Sequence, residues 1–518
     1  MRLVKRITPL GDNRRGDPLL NKVVLFLPPY SGQALGPPAG LLSLASSLRQ
    51  AGYSVTVIDA AVVPEYLPAI ERETRDALCF GISLLTGPMI HGAIKAARFV
   101  KRLKPRLQVI FGGWHPTLLP EQTLRESFVD VVVRNQGEST LLEILRRIES
   151  GDSLAGVSGC SFKNDSDIVH NPDRPVLRLK TLPPAAYDLV DFDAYGRVSG
   201  ERKLPYASSV GCPYECNYCT DTVFYNRRFN ALDAQRVIEE VTTLVARHRL
   251  TDVSLLDSNF LVDVRRALQI ARGFLDSDLG FRWLFQASTD LLCRLSDEDV
   301  CLLGKSGVKH IGFGVESGSE NVLAMMNKRH QHIDHLFETA RKCRKAGIRP
   351  TFNVILGFPG EAETDRQETL KVMGEIAARF ENVTFSPNIF TPYPGIPIWP
   401  QLRSLGVREP QCLEEWATLS LGTNVLPWLS GPVYRNVKRS MSFFMLNNEI
   451  RRVTRRPSLS AITRGILRVI QKPLHWRMKH HFFNWPLELW LLRARKRLIM
   501  RRSLLTGQAL SHDLTEAC

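Results

Sequence analysis

The amino-acid sequence predicts an α/β protein: an N-terminal doubly wound sheet over residues 21–150, a partial (β/α) barrel over residues 201–400 and a basic, mainly helical C-terminal domain over residues 401–518. Residues 1–20 read as an N-terminal tail and residues 151–200 as a linker. Three observations carry this reading. Short β-branched stretches alternate with amphipathic ones in the first segment, as a parallel sheet with crossover helices requires. The same alternation resumes after residue 200. The net charge of +16 is confined to one stretch: between Gly431 and Arg502 there are 18 Lys and Arg against two acids, Glu449 and Glu488, which accounts for the whole excess.

In the first segment "KVVLFLPPY" reads as a buried strand, and "AGLLSLASSLRQAG" has helical apolar spacing and stops at Gly52. "YSVTVIDA", "ALCFGISLL", "LQVIFGGWHP" and "VDVVVRN" are further strands; "PMIHGAIKAARFVKRLKP" and "ESTLLEILRRIESG" are helices. Ligands of such sheets sit beyond the C-terminal strand ends. Those ends carry Pro28-Pro29, Ser83-Leu84, Gly112-Gly113 and Gln136-Gly137-Glu138, and no G-x-G-x-x-G follows the first strand. Residues 151–200 are rich in Gly, Asp, Pro and Ser, hence the linker. In the barrel segment the expected strands are "DVSLLDSN", "FRWLFQAS", "HIGFGVES", "TFNVILGFP" and "NVTFSPNIF", with helices such as "DAQRVIEEVTTLVARHR" and "LFETARKCRKAG" between them. Barrel chemistry belongs at the C-terminal strand ends.

At 518 residues the chain is long enough for several domains, with 44% apolar and 23% charged residues, as in a globular protein. No apolar run approaches the ~18 residues of a membrane span. The basic start has no apolar signal core, so the expected location is cytoplasmic, where thiols stay reduced. Ten cysteines at scattered spacings do not form a disulfide framework.

The exception is "SSVGCPYECNYCT", with Cys212, Cys216 and Cys219 inside eight residues. A structural zinc site needs four ligands in a closed tetrahedron. Cys293, Cys301, Cys343 or a His would have to supply the fourth, and none belongs to a second C-x-x-C pair. An iron–sulfur cluster is the alternative, and three thiolates on four irons leave one iron open for chemistry.

C-x-x-x-C-x-aromatic-C, with Tyr218 before the last cysteine, resembles the signature of the radical S-adenosylmethionine (SAM) superfamily. The resemblance implies a 4Fe–4S cluster whose free iron chelates SAM and whose electron cleaves it to a 5′-deoxyadenosyl radical. "LLDSNF" looks like the second-strand motif, which would set Asp257 and Asn259 near the SAM amino group. "GFGVESGS" resembles the fourth-strand motif, with Glu316 on the ribose hydroxyls, and "NVILGFPGE" the fifth, with the Gly357 region at adenine. "FTPYPGIP" matches a sixth-strand end of the same group.

The preceding sheet, with "GGWHPTLLPE" and "VDVVVRNQGEST", resembles the cobalamin-binding domain of the cobalamin-dependent (class B) radical SAM group. That implies cobalamin at Ser83, Leu84, Gly112, Gly113, His115, Gln136 and Glu138. Two departures stand out. There is no D-x-H-x-x-G motif to supply a lower His ligand, which leaves His115 as the one axial candidate and loop structure as its plainer role. Val210 stands where the family often has Arg. The resemblance implies a C-methyltransferase that works on an unactivated carbon of a natural-product, tetrapyrrole or lipid substrate, through methylcobalamin and the 5′-deoxyadenosyl radical. A cyclase with the same cofactors is the alternative. An RNA-modifying methylthiotransferase is the weaker one, because the N-terminal domain offers only Cys79. An electron donor of flavodoxin or ferredoxin type is implied.

The C-terminal segment mixes Arg and Lys with Trp476, Phe482, Phe483, Trp485 and Trp490. Basic amphipathic helices with aromatics predict peripheral contact at the inner membrane face, or helices packed on the barrel with a solvated basic face. Nucleic acid needs the same side chains and is the weaker expectation.

Overall fold

The structure is a computed structural model that describes residues 21–30, 36–165, 167–419, 425–429, 431–455, 459–483 and 490. Two compact units emerge. The first comprises Met1–Phe285, Pro392–Pro400 and Arg408–Ser420; the second comprises Gln286–Thr391, Gln401–Val407 and Leu421–Cys518. The division falls inside the second strand–helix run and not at the expected linker.

In the first unit a seven-stranded sheet runs in the order β2-β1-β3-β4-β5-β6-β7. Its strands are β1 (Lys22–Leu27), β2 (Ser54–Asp59), β3 (Ala77–Ser83), β4 (Gln108–Gly112), β5 (Val131–Val133), β6 (Cys160–Asn164) and β7 (Asp167–His170). β1 to β5 are parallel, and β6 and β7 join antiparallel. The parallel strands are apolar on both faces because helices cover both. One such helix is α1 (Ala39–Gln50), which buries Leu41, Leu42, Ala45 and Leu48 on one stripe. Another is α2 (Met89–Leu103), and a third is α3 (Glu138–Ser150). Every strand and helix expected between residues 21 and 150 is present.

The expected linker is a correction. Its first half is the β6–β7 hairpin, which extends the sheet through pairs such as Val131 with Phe162. Its second half is pinned, with Tyr195 Oη donating to Asp59 Oδ2 at 2.8 Å and Tyr187 Oη donating to the Pro205 carbonyl. Turn-forming residues mark the bend of a hairpin as readily as they mark a linker, so composition alone does not separate the two.

The first unit also holds the start of the second run: β8 (Lys203–Tyr206), the short β9 (Ser209–Val210), its antiparallel partner β10 (Asn230–Ala231), β11 (Asp252–Leu255) and β12 (Arg282–Ala287) up to Phe285. β11 pairs in parallel with β8 on one side and with β12 on the other. The second unit carries β13 (Val308–Glu316), β14 (Arg349–Leu356) and β15 (Thr384–Ile389), in parallel and in that order. It also holds α4 (Glu363–Arg379), α5 (Gly431–Thr454) and α6 (Ala461–Lys479). The expected helical character of the C-terminal segment holds for α5 and α6; Trp485 and the N-terminal tail lie outside the described residues.

Candidate functional site

The cysteine loop begins directly after β9. Gly211, at φ +77°, turns the chain out of the strand, and a Cβ there would collide with the Arg228 carbonyl, so only glycine fits before Cys212. Within the loop the Cys219 amide donates to the Cys216 carbonyl at 3.2 Å, and Thr222 Oγ1 donates to the carbonyls of Cys216 and Cys219. Tyr218 sits half-buried in the turn between them. All three thiols are free of disulfides. Burial, with Asp221 nearby, pushes the Cys219 thiol up to about 12, and burial also raises Cys212. Asn259 Nδ2 lies 4.0 Å from Cys212 Sγ.

Three reduced thiols in one short, tied loop fit a cluster as a donor set. Among the described residues no three His, Cys, Asp or Glu side chains gather tightly enough for a single metal ion. A cluster spreads its ligands over separate irons and needs no such convergence.

Asp257 does something other than the sequence led us to expect. Its carboxylate accepts from the Ser208 amide at 2.9 Å and from the hydroxyls of Ser208 and Ser209 at 2.6 and 2.5 Å. Arg266 completes the cluster, donating to the Ser208 carbonyl and hydroxyl at 2.8 Å and to the Leu232 carbonyl at 2.6 Å. Asp257 is 1% exposed, and desolvation raises its pKa against those hydrogen bonds. It fastens β11 to the segment that launches the cysteine loop.

A cavity of about 420 Å³ opens beside this segment, wholly within the first unit. One wall is the C-terminal end of the N-terminal sheet: Ser83, Gly112, Gly113, Gln136 and Glu138. The opposite wall comes from residues that flank the cysteine loop, including Ser209, Val210, Phe224, Tyr225 and Ser258. Glu138 Oε1 accepts from Ser43 Oγ at 2.7 Å, while its Oε2 is buried with no hydrogen-bond partner among the described residues. A buried acceptor at a cavity wall suits a ligand that brings N–H donors, as the amide side chains of cobalamin do.

Two of the expected cobalamin residues, Leu84 and His115, are not on this wall. Both are fully buried, and His115 Nδ1 lies 2.9 Å from Thr86 Oγ1 with its ring against Trp416 at 5.9 Å. Burial holds its imidazole down to about 3, so it is neutral and serves the loop. Trp114 lines the cavity instead and packs on Phe224 at 4.2 Å. Successive residues at a helix start point to different faces, so "GGWHP" delivers its Trp to the cavity and turns its His away. Trp114 lies in the same motif, but His and not Trp is the usual metal ligand, so the pattern alone points to the wrong side chain.

In the second unit Glu316 ends β13 at φ +63°, a backbone region costly for a residue with a side chain, and its Oε1 lies 3.7 Å from Lys328 Nζ. Gly357, just past β14, donates its amide to Glu361 Oε2 at 2.8 Å and accepts from Trp428 Nε1 at 3.0 Å. Glu361 ends the same NVILGFPGE stretch, where nothing in the local pattern marks it as buried. Desolvation raises it to about 7 despite Arg366 at 3.7 Å.

Residues 206–373 match the radical SAM superfamily, and residues 32–145 match the B12 binding domain family. The chain thus joins a B12 binding domain to a radical SAM domain. The enzyme is 29% identical over 392 residues to an uncharacterised methyltransferase of Pyrococcus horikoshii, covering 73% of this chain and 82% of that protein. It is 25% identical over 389 residues to the anaerobic magnesium-protoporphyrin IX monomethyl ester cyclase of Rubrivivax gelatinosus, covering 72% and 68%. Its fold resembles the radical SAM methyltransferase TsrM of Kitasatospora setae, solved with cobalamin and a [4Fe-4S] cluster, at a TM-score of 0.64 and 18% identity, over 75% of this chain and 76% of that one. The cobalamin and [4Fe-4S] cluster held by the TsrM structure are among the cofactors that the sequence led us to expect for this chain.

Proposed function

We propose that the enzyme is a cobalamin-dependent radical SAM C-methyltransferase acting on an unactivated carbon of a natural-product, tetrapyrrole or lipid precursor. One observation carries the reading: a single cavity is walled by the ligand end of the B12-type sheet and by the residues beside the cysteine loop. The bound cluster and SAM supply a radical, and cobalamin supplies the methyl group. Cys212, Cys216 and Cys219 hold the cluster. Ser83, Gly112, Gly113, Gln136 and Glu138 shape the cobalamin wall. Trp114, Phe224 and Tyr225 keep the cavity between them apolar and exclude water, which protects reactive species from side reactions. Asn259, Tyr218, Glu316 and the Gly357 turn are the proposed SAM contacts, while Asp257 positions the loop. Electrons come from a flavodoxin- or ferredoxin-type donor.

The Rubrivivax relative keeps ring closure as a second reading with the same cofactors. RNA methylthiotransfer has less support. Cys79 is fully buried on β3 with its thiol pushed up to about 12, which leaves it no ligand role, and the long C-terminal elements α5 and α6 are helices.

Anaerobic reconstitution is expected to give one 4Fe–4S cluster per chain and reductive cleavage of SAM to 5′-deoxyadenosine. Cys216→Ala is expected to abolish both; deoxyadenosine formation at the wild-type rate in that variant sinks the cluster assignment. A folded, cluster-loaded enzyme that takes up no corrinoid removes the cobalamin part. Transfer of an isotopic label from the SAM methyl group to the product separates methylation from ring closure.

A further inference from the structure

Helix α6 is amphipathic the wrong way round for a surface helix. It docks on the second unit through Leu474 and Met478, both fully buried. On the outward face lie Ile462, Ile466, Val469, Ile470, Pro473 and Trp476, spaced i, i+4, i+7, i+8, i+11 and i+14 along one continuous stripe. Ile462 is 78% exposed, Val469 64% and Trp476 56%. Isolated apolar residues on a surface need no explanation, but a contiguous stripe of aliphatic side chains ending in a tryptophan does. Arg468, Lys472 and Lys479 form an exposed row along one flank of the stripe, and the helix contains no acid.

We infer that α6 is an interfacial helix that lays its outward stripe into an anionic lipid surface. Aliphatic residues would enter the acyl boundary, Trp476 would sit at headgroup level, and the basic row would meet lipid phosphates. Charge selects this occupant over the others. A second copy docked symmetrically would set the same basic row against itself. The chain beyond α6 is a poor complement too: residues 480–518 contain six Lys and Arg against three acids, a net positive charge like that of the row itself. Negative headgroups complement both. The inference concerns a face remote in sequence from the cysteine loop and stands independently of the reaction proposed above.

The test is co-sedimentation of the cluster-loaded full chain with phosphatidylcholine vesicles, with and without about a third phosphatidylglycerol. Binding is expected only to the anionic vesicles and should weaken as salt rises. Ile466→Glu with Val469→Glu, and separately Arg468→Glu with Lys472→Glu, are each expected to weaken it by at least about tenfold. All four positions are exposed, so folding and SAM cleavage should be unaffected. Absence of binding at low salt, equal binding to neutral vesicles, or unchanged binding by both variants overturns the inference. So does a dimer in gel filtration that Ile466→Glu dissociates, which would make a second copy the occupant. Binding that appears only after truncation beyond residue 490 would make the chain's own end the occupant and overturns it equally.

Discussion

Asp257 shows how a residue of a cofactor motif can act one step away from the cofactor. Four groups converge on it or its partners: the Ser208 amide, two serine hydroxyls and the Arg266 guanidinium. Asp257→Ala leaves those donors and a 6% exposed arginine without their anion. The expected loss is about 3 kcal/mol in urea unfolding, because a buried charge stripped of its partner is costly. Iron content after reconstitution should fall with it, since the loop loses its anchor. Glu361 offers a pH signature. Its folded value of about 7 stands above the ordinary 4.5, so the folded state holds its proton more tightly than the unfolded chain does. Its contribution is full below pH 4.5 and is lost as pH rises through 7. Relative to wild type, Glu361→Gln is therefore expected to gain up to about 3 kcal/mol between those limits, read as the difference in unfolding midpoints across pH. A constant difference would show that Glu361 does not titrate there.

At the scale of elements, α5 and α6 do two separate jobs. α5 closes the sheet edge: Asn448 accepts from the Phe385 amide at 3.1 Å and donates to its carbonyl at 2.6 Å, and Arg451 donates to the Val383 carbonyl at 2.7 Å. One amide side chain thus stands in for a missing neighbour strand on β15, which would otherwise present open backbone groups. α6 is seated differently. It crosses α4 so closely that a Cβ on Gly374 would come within 2.9 Å of the Met478 carbonyl. Gly374→Leu should gain about 1 kcal/mol in helix propensity yet lose about 1–3 kcal/mol in overpacking. The net expectation is earlier proteolytic cleavage between α5 and α6, with SAM cleavage retained. Faster loss of SAM cleavage than of α6 would place this contact in the active site instead.

Over the whole molecule, the legibility of fold and site follows from the range of the interactions involved. Strands and helices were readable because hydrophobic period is local: "KVVLFL" and "AGLLSLASSLRQ" state their own conformation. The cysteine loop was readable because all three thiols lie within eight residues. The β6–β7 hairpin was not, since its strands are short and gain their stability from pairing with β5. Nor was the division at Phe285, which depends on which segments pack together. By itself the sequence determined most element types, the close spacing of the three thiols, the radical SAM and B12-binding domains, and the confinement of net charge to the C-terminal segment, because each is written in contiguous or near-contiguous residues. Only the tertiary structure decided that Trp114 and not His115 meets the cavity, that Asp257 is spent on Ser208 and Ser209, that Glu361 lies buried beside Gly357, and which face of α6 is left to solvent. Those outcomes depend on where side chains from distant segments meet, and burial and hydrogen bonding at such meetings exist only once the chain has folded.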